Sequence, residues 1–240
     1  MTLAWVAGAL VILLASFVMG LAGFGIALVA MAFLPYVMSP VTAIVLLTIY
    51  AFVFSLVALV QLWRDVTPRA LRDLLIGTVA GTPLGVWVLA ALPLGLLTRL
   101  IGLVLVIAVA LELRGVMPRR LTGRAWGFGA GLLAGVIGGA VGTPGPPVVM
   151  YATTQGWNPR TMKGNVMAFF VVNQGAILAG YWWAGLLTPE VLGVTAGYAP
   201  PALAGLLAGM ALFNRIEPAR FRWIVFSLLG ASGLVLLAHG

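Results

Sequence analysis

Few side chains among the 240 residues of this chain can act as acid, base, nucleophile or metal ligand. Cysteine is absent, and the single histidine, His239, is the penultimate residue. The five carboxylates, Asp65, Asp73, Glu112, Glu190 and Glu217, sit at or near the edges of apolar runs. No thiolate, histidine base or metal cluster can be built from this set, so neither an enzyme nor a cofactor is expected. With no acid deep in an apolar run, a buried proton relay is not expected either. What remains are neutral donors, the backbone amides, side-chain amides and hydroxyls. They concentrate in residues 135–147, GVIGGAVGTPGPP, and in the pair Asn173-Gln174, the only strongly polar pair deep in an apolar run.

Proline has no N–H to give a helix and glycine tolerates unusual backbone angles, so a continuous helix is not expected through GGAVGTPGPP. A short helix starting near Pro146 or Pro147 suits proline in a first turn. Its N-terminal dipole, with unpaired N–H groups from Gly142, Thr143 and Gly145 beside Gly138 and Gly139, would favour an anion. The competing reading is close helix packing, because Gly131/Gly135, Gly135/Gly139 and Gly138/Gly142 have small-xxx-small spacing. Packing accounts for the glycines but not for the three prolines. Asn173 and Gln174 read equally as substrate ligands or as hydrogen-bonding glue between helices. Asn165 lies about 80° around the same helix from Asn173, so both could face one cavity. Arg160 and Lys163, which open that helix, read first as topology determinants.

The elements that position these groups are set by composition. The chain is 62% hydrophobic and 8% charged, where soluble domains carry about a quarter charged residues. Residues 1–63 hold no charged side chain, and the first basic residue is Arg64, so the first helix is expected to stay as an anchor rather than a cleaved signal. The protein is read as an all-α polytopic membrane protein. Its net charge of +8 is scattered over short connections, which excludes nucleic acid and points to cytoplasmic loops.

Candidate segments are 2–19, 20–38, 39–62, 72–92, 96–113, 124–141, 142–157, 160–184, 189–212 and 219–238. Two are doubtful, 20–38 because of Pro35 and 142–157 because of Pro144, Pro146 and Pro147. If both turn back, basic residues divide seven to six between the two sides; if both cross, they divide twelve to one, with Arg99 alone outside. The asymmetry favours ten segments with both termini outside.

The basic linker 114–123 separates a first membrane repeat, 1–113, from a second, 124–240. Landmarks recur in order: GLAGFG at 20–25 and GVIGGAVG at 135–142, SPVT at 39–42 and NPRT at 158–161, Thr67-Pro68 and Thr188-Pro189. Ser55 matches Gln174. Five segments per half makes the second half enter from the opposite face, an inverted-topology repeat of the kind secondary transporters use. The second segment of each half is short or broken. Gly23 and Gly25 occupy the first break, with packing as their simpler role and a site role by analogy with the second.

The duplicated halves, the short basic linker and the glycine-rich break after the first helix of each half resemble the TauE/SafE sulfite exporter family of small-anion permeases. That resemblance implies a multi-pass transporter of the bacterial inner membrane moving sulfite, an organosulfonate or another sulfur-containing anion; with it, the charge count puts both termini in the periplasm and the inverted halves point to alternating access. The expected partners are a small anionic substrate and the lipid bilayer, with a homo-oligomer left open. An anion channel, a carboxylate transporter and a non-transporting membrane subunit are the alternatives.

Overall fold

A computed structural model describes residues 3–113, 123–212 and 233–238. Most of the linker and of the tenth expected segment, with His239, lie outside the described residues. The helices are α1 (Leu3–Ala22), α2 (Ile26–Met31), α3 (Pro40–Leu62), α4 (Pro68–Ala91), α5 (Leu94–Leu113), α6 (Arg124–Val141), α7 (Gly145–Thr154), α8 (Pro159–Trp183) and α9 (Pro189–Leu212). One-turn 3-10 helices cover Leu34–Tyr36 and Trp63–Asp65. Seven helices are long and apolar enough to cross a membrane, and no strand occurs among the described residues.

Proline marks the first residue of α3, α4, α8 and α9, where its missing N–H costs nothing. Ser39 and Asn158 cap α3 and α8; the Ser39 Oγ accepts from Thr42 N at 3.1 Å, and Asn158 Oδ1 accepts from Arg160 N and Thr161 N. Within the apolar run IALVAMAFL, α2 stops at Met31 after six residues. Pro35 cannot donate to the Met31 carbonyl and disfavours helical backbone at Leu34, so the chain turns into a 3-10 helix there.

The chain forms two compact units, 1–47 with 92–115 and 187–240, and 48–91 with 116–186. Each draws elements from both sides of the linker, so the compact units and the sequence halves are different partitions. In the first unit, α1 and α9 pack in parallel. A Cβ at Gly205 or Gly209 would collide with the carbonyl of Leu13 or Phe17, and one at Gly20 with that of Leu206.

In the second unit α4 and α6 pack in parallel by the same means. Gly77, Gly81 and Gly85 face the carbonyls of Phe128, Leu132 and Val136, while Gly131 and Gly135 face those of Leu74 and Thr78. Six glycine positions at four-residue spacing, Gly139 being the last, let the two backbones touch. α8 runs parallel to them, through Asn165 to Thr67, Asn173 to Thr78 and Tyr181 to Gly139. α3 runs against α8: a Cβ at Gly164 would lie 3.2 Å from Leu62 O and one at Gly175 3.4 Å from a Phe52 ring carbon.

These contacts fix the path of the chain through 142–157. Trp126 Nε1 donates to Thr154 Oγ1 at 3.2 Å, and the Tyr151 hydroxyl donates to the Ala70 carbonyl at 2.9 Å. The end of α7 therefore lies where α4 and α6 begin. The Arg160 Nε to Asp65 Oδ2 ion pair of 2.8 Å puts the start of α8 there too. A segment that turned back on the side where α6 ends would leave Arg160 at the opposite end from Asp65.

Candidate functional site

The site begins where α6 ends. Gly142 takes a left-handed conformation, φ 72°, and its N–H donates to the Gly138 carbonyl at 2.9 Å. This corrects the expectation that the Gly142 amide is an unpaired donor: it closes the helix, as a C-terminal glycine commonly does. The amides of Thr143 and Gly145 have no acceptor among the described residues. Pro144, Pro146 and Pro147 have no N–H at all. α7 starts at Gly145, with Pro144 before it and no side-chain cap. The approach to α7 thus carries two backbone donors without acceptors, on the buried residues Thr143 and Gly145, and the N-terminal end of a helix attracts negative charge.

α8 supplies the amide side chains. Asn173 is fully buried; its Nδ2 donates to the Thr78 hydroxyl, and its Oδ1 has no partner. A Cβ at Gly138 would lie 3.5 Å from that Oδ1, 3.1 Å from the Pro144 Cβ and 2.9 Å from the Ile177 Cδ1. The absence of a side chain at Gly138 is therefore what lets α8 and the start of α7 meet over α6. One residue on, Gly139 gives its carbonyl to the Tyr181 hydroxyl at 2.8 Å and its face to Val86 and Gly85 of α4. Both glycines are closely packed, Gly139 against the α4 backbone and Gly138 against Ile177 and Pro144.

Four buried side-chain atoms of this unit have no hydrogen-bond partner: Ser55 Oγ, Thr143 Oγ1, Asn173 Oδ1 and Gln174 Oε1. Each costs about 1–3 kcal/mol if left dry. Natural structures keep such groups only where water, an ion or a ligand uses them. Among the described residues one other atom shares this condition, Ser16 Oγ of the first unit. Ser55 and Gln174 are the positions that the landmark SPVT/NPRT aligns.

Asn165 behaves differently. Its Oδ1 accepts from Thr67 N and its Nδ2 donates to Thr67 Oγ1, both at 2.7 Å. The carboxamide clamps the α3–α4 connection onto α8 rather than pointing donors at a cavity. Asn165→Ala should strip the Thr67 amide of its partner and lower stability by about 2 kcal/mol, read as an earlier melting transition, while the concentration dependence of transport stays within about twofold.

Gly23 and Gly25 lie in the first unit. Gly23 ends α1 with φ 79° and donates to Met19 O at 2.7 Å; Gly25, φ 96°, precedes α2. The helix closure matches that of Gly138–Gly142 at a spacing of 119, a left-handed glycine folding its N–H onto the carbonyl four residues back, but Gly25 is left-handed where Pro144 is right-handed. The chemistry differs too, because Met19, Phe24 and Ile26 stand where the second break has Gly138, Thr143 and Gly145.

Among the described residues no cluster of histidine, cysteine or carboxylate could hold a metal. Arg160 is 72% exposed and pairs with Asp65, an arrangement worth at most about 1 kcal/mol. Sequence reasoning missed Thr78, Tyr181 and the α4 glycines. The four-residue spacing in GTVAGTPLG was a readable signal for the last of these; the two hydroxyls gave none.

The family model described as Sulfite exporter TauE/SafE matches residues 8–236. No curated protein and no solved structure matches the chain.

Proposed function

The chain belongs to the TauE/SafE sulfite exporter family, a family of membrane transporters, and from that premise we propose that it is a permease for sulfite, an organosulfonate or another small sulfur-containing anion. The observation that carries the reading is the unpartnered, buried Oδ1 of Asn173 close to Pro144 at the head of α7, where Thr143 Oγ1 is also buried without a partner. The Thr143 and Gly145 amides supply positive potential, and neutral amides and hydroxyls complete the shell. Among the described residues no carboxylate contacts Asn173, Thr143 or Gly145 to repel the anion.

Transport proceeds by alternating access between two inverted halves. Support comes from the order of elements: Ile26 and Gly145, and Pro40 and Pro159, are each 119 positions apart, and Pro68 and Pro189 are 121 apart. The glycine-packed parallel pairs α1 with α9 and α6 with α4 are counterparts under that correspondence. The path of α7 back to the end where α6 begins agrees with a crossing at 142–157, and hence with the twelve-to-one distribution of basic residues. Both termini then face the periplasm of a bacterial inner membrane. The second break carries the anion-binding chemistry and the first carries the apolar counterpart.

A thermal-shift screen in detergent tests the assignment. Sulfite, thiosulfate or a small sulfonate should raise the melting temperature, since a ligand at about 100 times its Kd stabilises by about 2.7 kcal/mol. Stabilisation by small carboxylates alone would replace the substrate class.

A further inference from the structure

The permease reading leaves open which protonation state of an oxyanion the site accepts. The polar atoms there are of two kinds. The amides of Thr143 and Gly145 are donors, and nothing among the described residues occupies them. Asn173 Oδ1 and Gln174 Oε1 are carbonyl oxygens, acceptors only, buried and without a donor. The other end of the Asn173 carboxamide, Nδ2, donates to the Thr78 hydroxyl. Its free oxygen lies 3.5 Å from the point where a Cβ at Gly138 would sit, and the Cβ of Pro144, at the head of α7, lies 3.1 Å from the same point.

A fully deprotonated oxyanion brings only lone pairs to such a shell. Its oxygens would satisfy the two amides but would face the Asn173 oxygen with like partial charge. An oxyanion that keeps one proton satisfies both kinds of group. Its bare oxygens accept from the amides of Thr143 and Gly145, and its hydroxyl donates to Asn173 Oδ1. We propose that this site selects the monoprotonated form of its substrate oxyanion, with the amide oxygen of Asn173 as the group that reads the proton. The inference rests on the permease reading. Its consequence is that a proton crosses on each substrate, and proton-coupled flux needs no carboxylate in the membrane.

The groups on the surrounding helices do not supply this titration. Tyr181 of α8 commits its proton to the Gly139 carbonyl, and Tyr50 of α3 stacks on Phe54. Tyr151 of α7 bonds the Ala70 carbonyl, and Asp73 of α4 lies beside Gly127, at the end where α6 begins. Arg69 and Arg72 of α4, Arg124 of α6, and Arg64 and Asp65 before α4 belong to that same end. Arg160 and Lys163 precede Asn173 by about 15 Å or more along α8.

Calorimetric titration of the detergent-solubilised protein with sulfite, selenite and methanesulfonate, from about pH 6 to about pH 9, tests the proposal. The sulfite dianion takes up one proton near neutrality, selenite holds its proton more tightly, and methanesulfonate has none to offer. Sulfite affinity should fall by about tenfold per pH unit above sulfite's own pKa. The selenite profile should be displaced to higher pH, and methanesulfonate should bind at least about tenfold more weakly than sulfite at the acid end, the difference expected for a donor-reading site. Sulfite affinity independent of pH, methanesulfonate binding equal to sulfite, or sulfite and selenite profiles with one shared midpoint would each overturn the proton-reading site while leaving an anion permease. Failure of all three anions to bind at any pH would instead overturn the permease reading.

Discussion

Asn173→Leu should reduce sulfite transport by about a hundredfold or more, a loss of about 2.7 kcal/mol in transition-state binding, while leaving the protein folded. The two effects separate because the side chain has two unequal ends. Its Nδ2 makes one hydrogen bond, to Thr78, and its Oδ1 makes none. Leucine has a similar volume and removes an unpaired buried oxygen, which offsets the lost bond. Thr78 need not be stranded, since a helical threonine can turn its hydroxyl to the carbonyl four residues back, as Thr82 does to Thr78 at 2.8 Å. The measurement is initial sulfite flux in proteoliposomes, normalised to inserted protein, together with a melting curve. Flux unchanged with the fold intact would remove Asn173 from the substrate path.

Gly131→Ala should have the opposite profile, a large loss of stability. Alanine ordinarily stabilises a helix over glycine by about 1 kcal/mol. At Gly131 the added Cβ would fall inside contact distance of the Leu74 carbonyl oxygen and 3.0 Å from the Thr78 amide nitrogen, both backbone atoms that cannot swing aside. Separating α4 from α6 to relieve the overlap should cost about 3 kcal/mol and lower the melting temperature by about 6–12 °C. Gly129→Ala, two residues away in the same helix and with nothing within 4 Å of the new Cβ, should show the ordinary stabilisation. A melting temperature for Gly131→Ala at or above that of the parent would mean that α4 and α6 do not touch through their glycines.

The parts of this architecture that depend on local chemistry were readable before any coordinates. Proline-led helix starts at Pro40, Pro68, Pro159 and Pro189, the caps at Ser39 and Asn158, and the break at Gly142–Pro147 all follow from backbone rules acting within a few residues. The family was readable too, and its model matches residues 8–236. What escaped were statements about partners. Asn165 and Asn173 look alike in sequence, yet one meets Thr67 with both ends and the other leaves an oxygen unpaired. Only the packing of α4 on α8 decides which. The Gly142 amide was counted as free because a chain of letters does not show that the helix ends one residue earlier and folds that N–H onto Gly138. The partition into units was hidden for the same reason. α4 pairs with α6 from across the linker, and nothing along either helix states that preference beyond matching glycine intervals.

The most direct test of an alternating-access anion site in this protein is the initial rate of sulfite entry into proteoliposomes against external sulfite concentration, with and without sulfite trapped inside. A rate that saturates, and that rises when sulfite is present on the far side, is the predicted result. It means the loaded site reorients faster than the empty one. A rate that climbs linearly without limit and ignores the far side would describe a pore, and no flux at all would leave the buried polar cluster without an anion to serve.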